Sequence, residues 1–236
     1  MPPTSRTSSP VDYQVHQSGG SELPVVETFH SLQGEGIHAG RSAFFIRLGG
    51  CNVGCSWCDT KHSWPEGVHP RLVIASLADA AVDAVANGAG FVVITGGEPL
   101  HHNLNELCGA LRQALERYQE AGVPLHLETS GVDPLSGSFD WITLSPKRHK
   151  PPTPQLLAAC NELKVVVHNA EDLAFAEEMA AAANANRSVT AQAKGLALLL
   201  QPGHDCEEGQ QLAIEFVKAH PEWRLSLQTH KLLGVR

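Results

Sequence analysis

Basic residues are in short supply in this chain, with Lys+Arg 17 against Asp+Glu 25 and a formal net charge of −8. That balance argues against a broad nucleic-acid-binding face, which needs a basic stripe to meet the phosphates. Long apolar runs are missing too, and none approaches the roughly 18 residues that a membrane span requires. The first 20 residues hold Asp12 and no continuous apolar stretch, so no secretory signal is expected there. Neither collagen periodicity, a heptad pattern nor chain-long disorder is present. What remains, 42% hydrophobic and 18% charged over 236 residues, is enough to bury a real core. These exclusions point to a soluble, cytoplasmic, acidic protein that binds neither nucleic acid nor membrane.

Residues 1–22 are rich in Ser, Thr, Pro and Gly and read as a flexible tail, leaving a core domain over 23–236. From Pro24 onward, short β-branched runs alternate with amphipathic stretches. Strands are expected at 25–29, 43–48, 91–95, 125–129, 141–144, 163–168, 196–200 and 223–228. Helices are expected at 103–121, 170–184 and 208–219, with one more starting at an N-cap Ser76 and ending near Asn87 and Gly88. Continuous runs such as Phe-Val-Val-Ile and Lys-Val-Val-Val look like strands buried on both faces. Strands alternating with helices imply βαβ units and a parallel sheet. About six or seven such strands are too few for an eight-fold barrel, so the expected α/β fold is an incomplete parallel (β/α) barrel. Ligands in such folds sit at the C-terminal strand ends, and six of those ends carry polar or Gly-rich residues. One shared pocket is expected.

Cysteine is uncommon, at 6 positions, but three fall together as Cys51, Cys55 and Cys58. A disulfide framework spreads its cysteines to close long loops, and this C-x3-C-x2-C cluster does not. Three thiolates on a short loop suit three irons of a 4Fe–4S cubane, with the fourth iron open to an outside ligand. Structural zinc is the rival reading, with His62 completing a Cys3His tetrahedron. Cys108 and Cys160 lie in helical stretches and read as small core hydrophobes, while Cys206 lies in a loop.

Cys51-x3-Cys55-x2-Cys58 after an apolar strand resembles the signature of radical S-adenosylmethionine enzymes, and Thr95-Gly96-Gly97-Glu98-Pro99 resembles their second motif. Further segments narrow the likeness: Leu32-Gln33-Gly34-Glu35-Gly36, Phe45-Ile46-Arg47-Leu48, Cys58-Asp59-Thr60, Leu127-Glu128-Thr129-Ser130-Gly131, Ser145-Pro146-Lys147 and Gln228-Thr229-His230-Lys231. On these residues the chain is similar to the 7-carboxy-7-deazaguanine synthases from about Val25 to its end.

The resemblance implies a lyase that turns 6-carboxy-5,6,7,8-tetrahydropterin into 7-carboxy-7-deazaguanine and ammonia by radical ring contraction. That product belongs to 7-deazapurine biosynthesis of the queuosine type. It implies a 4Fe–4S cluster on Cys51, Cys55 and Cys58, S-adenosylmethionine, Mg²⁺ at Thr60, and an electron donor of flavodoxin or ferredoxin type. A homodimer is implied as well. Trp57, Asp59, Gly97, Ser145, Pro146, Lys147 and Gln201 would meet the cofactor. Leu32, Gln33, Gly34, Glu35, Arg47, Thr95, Glu128 and His230 would meet the substrate. Relatives often place an acid sooner after the Gln-Pro than this chain's Gln201-Pro202-Gly203-His204-Asp205 does. Two other readings are an activase of glycyl-radical enzymes, which share the three-cysteine loop, and a non-catalytic Cys3His zinc module.

Overall fold

The structure is a computed structural model that describes residues 21–116, 118, 122–193 and 195–236. Most of the tail expected over 1–22 therefore lies outside the described residues. Its last residue does not behave as a tail, because Glu22 already opens the first strand and pairs with Val73.

Among the described residues, nine strands form one sheet: β1 (Glu22–Leu32), β2 (Ser42–Leu48), β3 (Arg71–Val73), β4 (Val92–Gly96), β5 (Leu125–Thr129), β6 (Trp141–Leu144), β7 (Glu162–Val167), β8 (Ala197–Pro202) and β9 (Trp223–Leu225). Their spatial order is β3-β1-β2-β4-β5-β6-β7-β8-β9. Seven α-helices among the described residues accompany them: α1 (Ile74–Ala86), α2 (Asn105–Leu115), α3 (Pro154–Ala159), α4 (Ala170–Asn186), α5 (Val189–Ala193), α6 (Glu207–Ala219) and α7 (Thr229–Leu233). From β2 to β9 every pairing is parallel, as the alternating pattern predicts. The edge departs from it. β1 runs antiparallel to both β2 and β3, because the 33–41 connection is a short turn closed by Gln33 N–H to the Arg41 carbonyl at 2.8 Å. A crossover to a parallel neighbour would need a dozen residues or more.

Period-two alternation divides the sheet into two environments. One face carries Ile46, Ile94, Leu127, Ile142, Leu144, Leu163, Val165 and Leu200 against Leu77, Ala81, Leu107, Leu111, Phe175, Met179 and Ala213 of the helices. Each fully buried Leu or Ile of this core contributes roughly 1.5–3 kcal/mol. On the inner face, paired positions align Phe45 with Val93 and Arg47 with Thr95, then Glu128 with Thr143 and Thr143 with Glu162. Lys164 follows two residues after Glu162 on the same side. A small apolar floor of Ala43, Phe45, Phe91 and Val93 covers one end of that lumen, and polar side chains occupy the other.

Several boundaries move for local reasons. Helix α1 starts at Ile74 with Val73 as N-cap and no side-chain bond. Ser76 lies inside the first turn because the β1–β3 pairing delivers the chain into the helix at Val73, where Ile74 N–H reaches the Ser21 carbonyl. Helix α2 begins at Asn105, not 103, and part of its expected C-terminal end lies outside the described residues. The expected strand 223–228 is cut to Trp223–Leu225, and α7 follows it. Cys108 is buried in α2, while Cys160 sits just past α3 with its thiol pushed up to about 11 by burial. Cys206 is not a loop bystander: its sulfur caps α6, accepting from Gly209 N–H at 3.4 Å.

Candidate active site

Two cavities open beside the C-terminal ends of the parallel strands. The first, about 210 Å³, is lined by Cys51, Cys55 and Cys58 together with Trp57, Gly97, Ser130, Ser145, Lys147 and Gln201. The second, about 200 Å³, is lined by Leu32, Gln33, Gly34, Arg47, Thr95 and His230. Glu35, Asp59, Thr60, Glu128 and Gln228 line both, so the cavities form one divided cleft. The shared pocket expected at the strand ends is therefore present. Of the residues expected to meet the cluster, Mg²⁺, cofactor or substrate, only Pro146 lines neither cavity; it is buried between Ser145 and Lys147.

The cysteine loop leaves β2 and is held by its own backbone, with Cys51 N–H on the Trp64 carbonyl at 3.0 Å and Cys58 N–H on the Cys55 carbonyl at 3.1 Å. Gly97 packs against it so closely that a Cβ would fall 2.4 Å from the Gly50 carbonyl oxygen. A side chain at 97 would push the cysteine loop away. The Gly97 N–H is committed to the Leu48 carbonyl at 3.0 Å, so a cofactor amine would have to meet the carbonyl. His149 approaches the loop from beyond β6, its Nε2 standing 3.1 Å from the Val53 carbonyl and 3.8 Å from Cys55 Sγ. Its ring meets Trp57 edge-on at 5.5 Å.

Burial pushes the Cys51 and Cys55 thiols up. The charge of a metal is the kind of neighbour that reverses this, because a thiolate ligand must shed its proton. Three cysteines on one loop, facing a cavity beside Gly97 and Lys147, fit a cluster with one corner turned to a ligand. The zinc alternative fits less well. His62, its fourth ligand, is exposed and outside the cavity.

The second cavity is a network of carboxylates with assigned partners. Glu128 accepts from Gln33 Nε2 and from Thr95 Oγ1, each at 2.9 Å. Glu35 is ion-paired with Lys164 and accepts from Gln228 Nε2 at 2.8 Å. Burial alone would raise the Glu35 carboxyl, but Lys164 and Gln228 outweigh it and hold the group below the usual carboxylate range. Asp59 behaves alike: burial raises it, and Lys231 at 2.7 Å with Gln228 brings it below its ordinary value. Arg47 meets Glu27 at 3.0 Å and lies over the Phe29 ring. Gly34 lies under His230, where a Cβ would fall 2.0 Å from the imidazole Nδ1. Its carbonyl accepts from Thr229 N–H at 2.9 Å. These bonds close α7 over the loop after β1.

Lys164, Gln228 and Ser130 enter the cleft without having been given a role from the sequence. Gln228 was visible in the Gln-Thr-His-Lys segment. Lys164 was hidden inside an apolar run, and its only signal was its two-residue spacing from Glu162. Asp205 is exposed, and Gln201, Pro202 and His204 line the cavity in its place.

Comparisons with known proteins agree with this geometry. The radical SAM superfamily pattern matches residues 45–147. A 7-carboxy-7-deazaguanine synthase of Prochlorococcus marinus is 54% identical over 220 residues, covering 90% of this chain and 98% of that protein. The synthase of the same name from Escherichia coli is 34% identical, covering 91% and 99%. The crystal structure of QueE from Escherichia coli superposes with a TM-score of 0.69 at 32% identity, covering 87% of this chain and 93% of that one. A partial (β/α) barrel, three cysteines at one divided cleft and relatives matched along nearly their full lengths lead to one conclusion: the chain belongs to the 7-carboxy-7-deazaguanine synthase family of the radical SAM superfamily.

Proposed function

We propose that this chain converts 6-carboxy-5,6,7,8-tetrahydropterin to 7-carboxy-7-deazaguanine and ammonia, supplying a precursor of queuosine-type 7-deazapurines. The observation that carries this reading is the divided cleft, with three cysteines on one side and paired carboxylates on the other. Membership of the family implies a 4Fe–4S cluster and S-adenosylmethionine, which when bound supply the reducing electron and the hydrogen-abstracting carbon radical.

The chain's own residues provide position and shielding. Cys51, Cys55 and Cys58 hold the cluster. Trp57, Asp59, Gly97, Ser145, Lys147 and Gln201 surround the cofactor, with Pro146 fixing the backbone between two of them. Gln33, Glu35 and Glu128 accept the N–H groups of the pterin edge, and a buried partner left unmatched costs about 1–3 kcal/mol. Arg47 receives the substrate carboxylate through a planar guanidinium, with His230 beside it. Leu32, Gly34 and Thr95 shape the wall.

Thr60 lines both halves of the cleft, and its hydroxyl stands 3.5 Å from Cys58 Sγ. We read it as the protein's ligand to a Mg²⁺ completed by substrate oxygens and waters. Thr60→Ala is expected to weaken the response to added Mg²⁺ about tenfold while iron content stays unchanged. Loss of iron together with activity would make Thr60 structural.

We further read the protein as a cytoplasmic homodimer reduced by a flavodoxin- or ferredoxin-type donor. No helix among the described residues is long and apolar enough to cross a membrane. The acidic net charge of −8 suits a small pterin better than a polyanion. The deciding experiment is anaerobic incubation with the carboxytetrahydropterin, S-adenosylmethionine, Mg²⁺ and reductant, assayed for the deazaguanine acid. Consumption of S-adenosylmethionine without that product would overturn the proposal.

A further inference from the structure

Lys164 stands on the inner face of β7 with its side chain 8% exposed, ion-paired to Glu35. Three carboxylates face it: Glu35 from the loop after β1, Glu128 from β5 and Glu162 from its own strand. Lys147, at the end of β6, donates to Ser145 Oγ at 2.8 Å, and His230 of α7 faces Glu35. Glu162 accepts from Ile37 N–H at 3.1 Å through one oxygen and lines neither cavity. Glu35 and Glu128 are therefore the two carboxylates that Lys164 shares with the second cavity.

We propose that Lys164 is a positioning residue for pterin recognition, its ammonium serving as the common counter-charge that lets Glu35 and Glu128 stand side by side as acceptors. The inference rests on the pterin reading of the second cavity. Two anions in one partly dry pocket repel, and without a cation one of them takes up a proton. A carboxylate accepts only, whereas a carboxylic acid also donates. A protonated Glu35 would turn a donor toward the donors of the pterin edge, so recognition fails by polarity and not by shape. Burial works against the Lys164 charge, yet Glu35 and Glu128 together raise its affinity for the proton. It stays an ammonium over the working range and is a poor proton donor. Its role is to aim and hold.

The sign of the pH dependence follows. Removing Lys164 removes the main influence lowering the Glu35 carboxyl, so Glu35 is protonated at low pH and recovers its charge as pH rises. The probe is 6-carboxypterin, a fluorescent oxidised relative of the substrate, titrated anaerobically into the cluster-loaded protein with S-adenosylmethionine and no reductant. Wild type is expected to bind it with little change between about pH 6 and pH 9. Lys164→Met should bind at least about tenfold more weakly at the acid end and approach wild type at the alkaline end. Lys164→Arg, which keeps the charge, should restore the flat profile. Glu35→Gln, which carries a fixed donor, should bind weakly at every pH, and it keeps the test decisive if Lys164→Met does not fold. Wild-type affinity in Lys164→Met or Glu35→Gln, or an equal loss at all pH in Lys164→Met, overturns the role given to Lys164. Failure of wild type to bind 6-carboxypterin at any pH overturns the pterin reading itself, and this inference with it.

Discussion

A chain carrying alanine at Cys51, Cys55 or Cys58 is expected to lose turnover completely and to be purified under anaerobic conditions with its iron depleted. The three thiols line one cavity on one loop, and no fourth cysteine can replace any of them. Cys108 and Cys160 are buried elsewhere, and Cys206 caps α6. A cubane held by two thiolates has lost a third of its protein ligands, and ligation is what stabilises it. Iron analysis and the broad visible absorption bleached by dithionite are the measurements. Full activity in any one of the three variants would refute the ligand set. Far-ultraviolet circular dichroism should stay close to wild type, because the loop contributes little to either face of the sheet.

Glu98 should give the second large effect, on stability. It is 1% exposed, and four donors meet its carboxylate. Thr129 Oγ1 lies at 2.5 Å, Ser130 N–H at 2.8 Å and Leu100 N–H at 3.2 Å, with the Ser130 hydroxyl as the fourth. The residue ties the end of β4 to the end of β5, directly behind Gly97. Glu98→Ala removes the acceptor and leaves buried donors unmatched, a loss of about 3–5 kcal/mol. Against a total stability of roughly 5–15 kcal/mol this is a large share. Glu98→Gln should lose less, about 1–3 kcal/mol, because one amide oxygen still accepts. The denaturation midpoint measures both, and an unchanged midpoint in Glu98→Ala would show that the donors find other partners.

How much of this is legible in the sequence differs from element to element. Strands β4, β5 and β6 and helix α4 lie close to where hydrophobic period and flanking turns put them, because both signals are local. β3 escaped notice: three residues with no alternation become a strand only by pairing with β1. The Ser76 cap failed for a related reason, since a residue outside the local window decides where α1 starts. At the site, Cys51, Cys55 and Cys58 stood out by a spacing unusual for a loop, while Gly97 and Glu128 stood out only through segments that resemble the family's; all five line the cleft. Lys164 did not stand out. Its Lys-Val-Val-Val run reads only as a buried strand, and the partner that gives the lysine a purpose, Glu35, is 129 residues away in the chain.

The sequence by itself determined the family, the three-cysteine loop, the parallel pairing of successive strands and the clustering of polar residues at their ends. These depend on neighbours in the chain, where residue type and spacing act directly. Only the tertiary structure decided that β1 turns back antiparallel, that the pocket is divided at Glu35, Asp59, Thr60, Glu128 and Gln228, and that Lys164 balances its carboxylates. Those are matters of distance between residues far apart in the chain. Charge pairing and desolvation depend on separation in space, which a linear sequence does not contain.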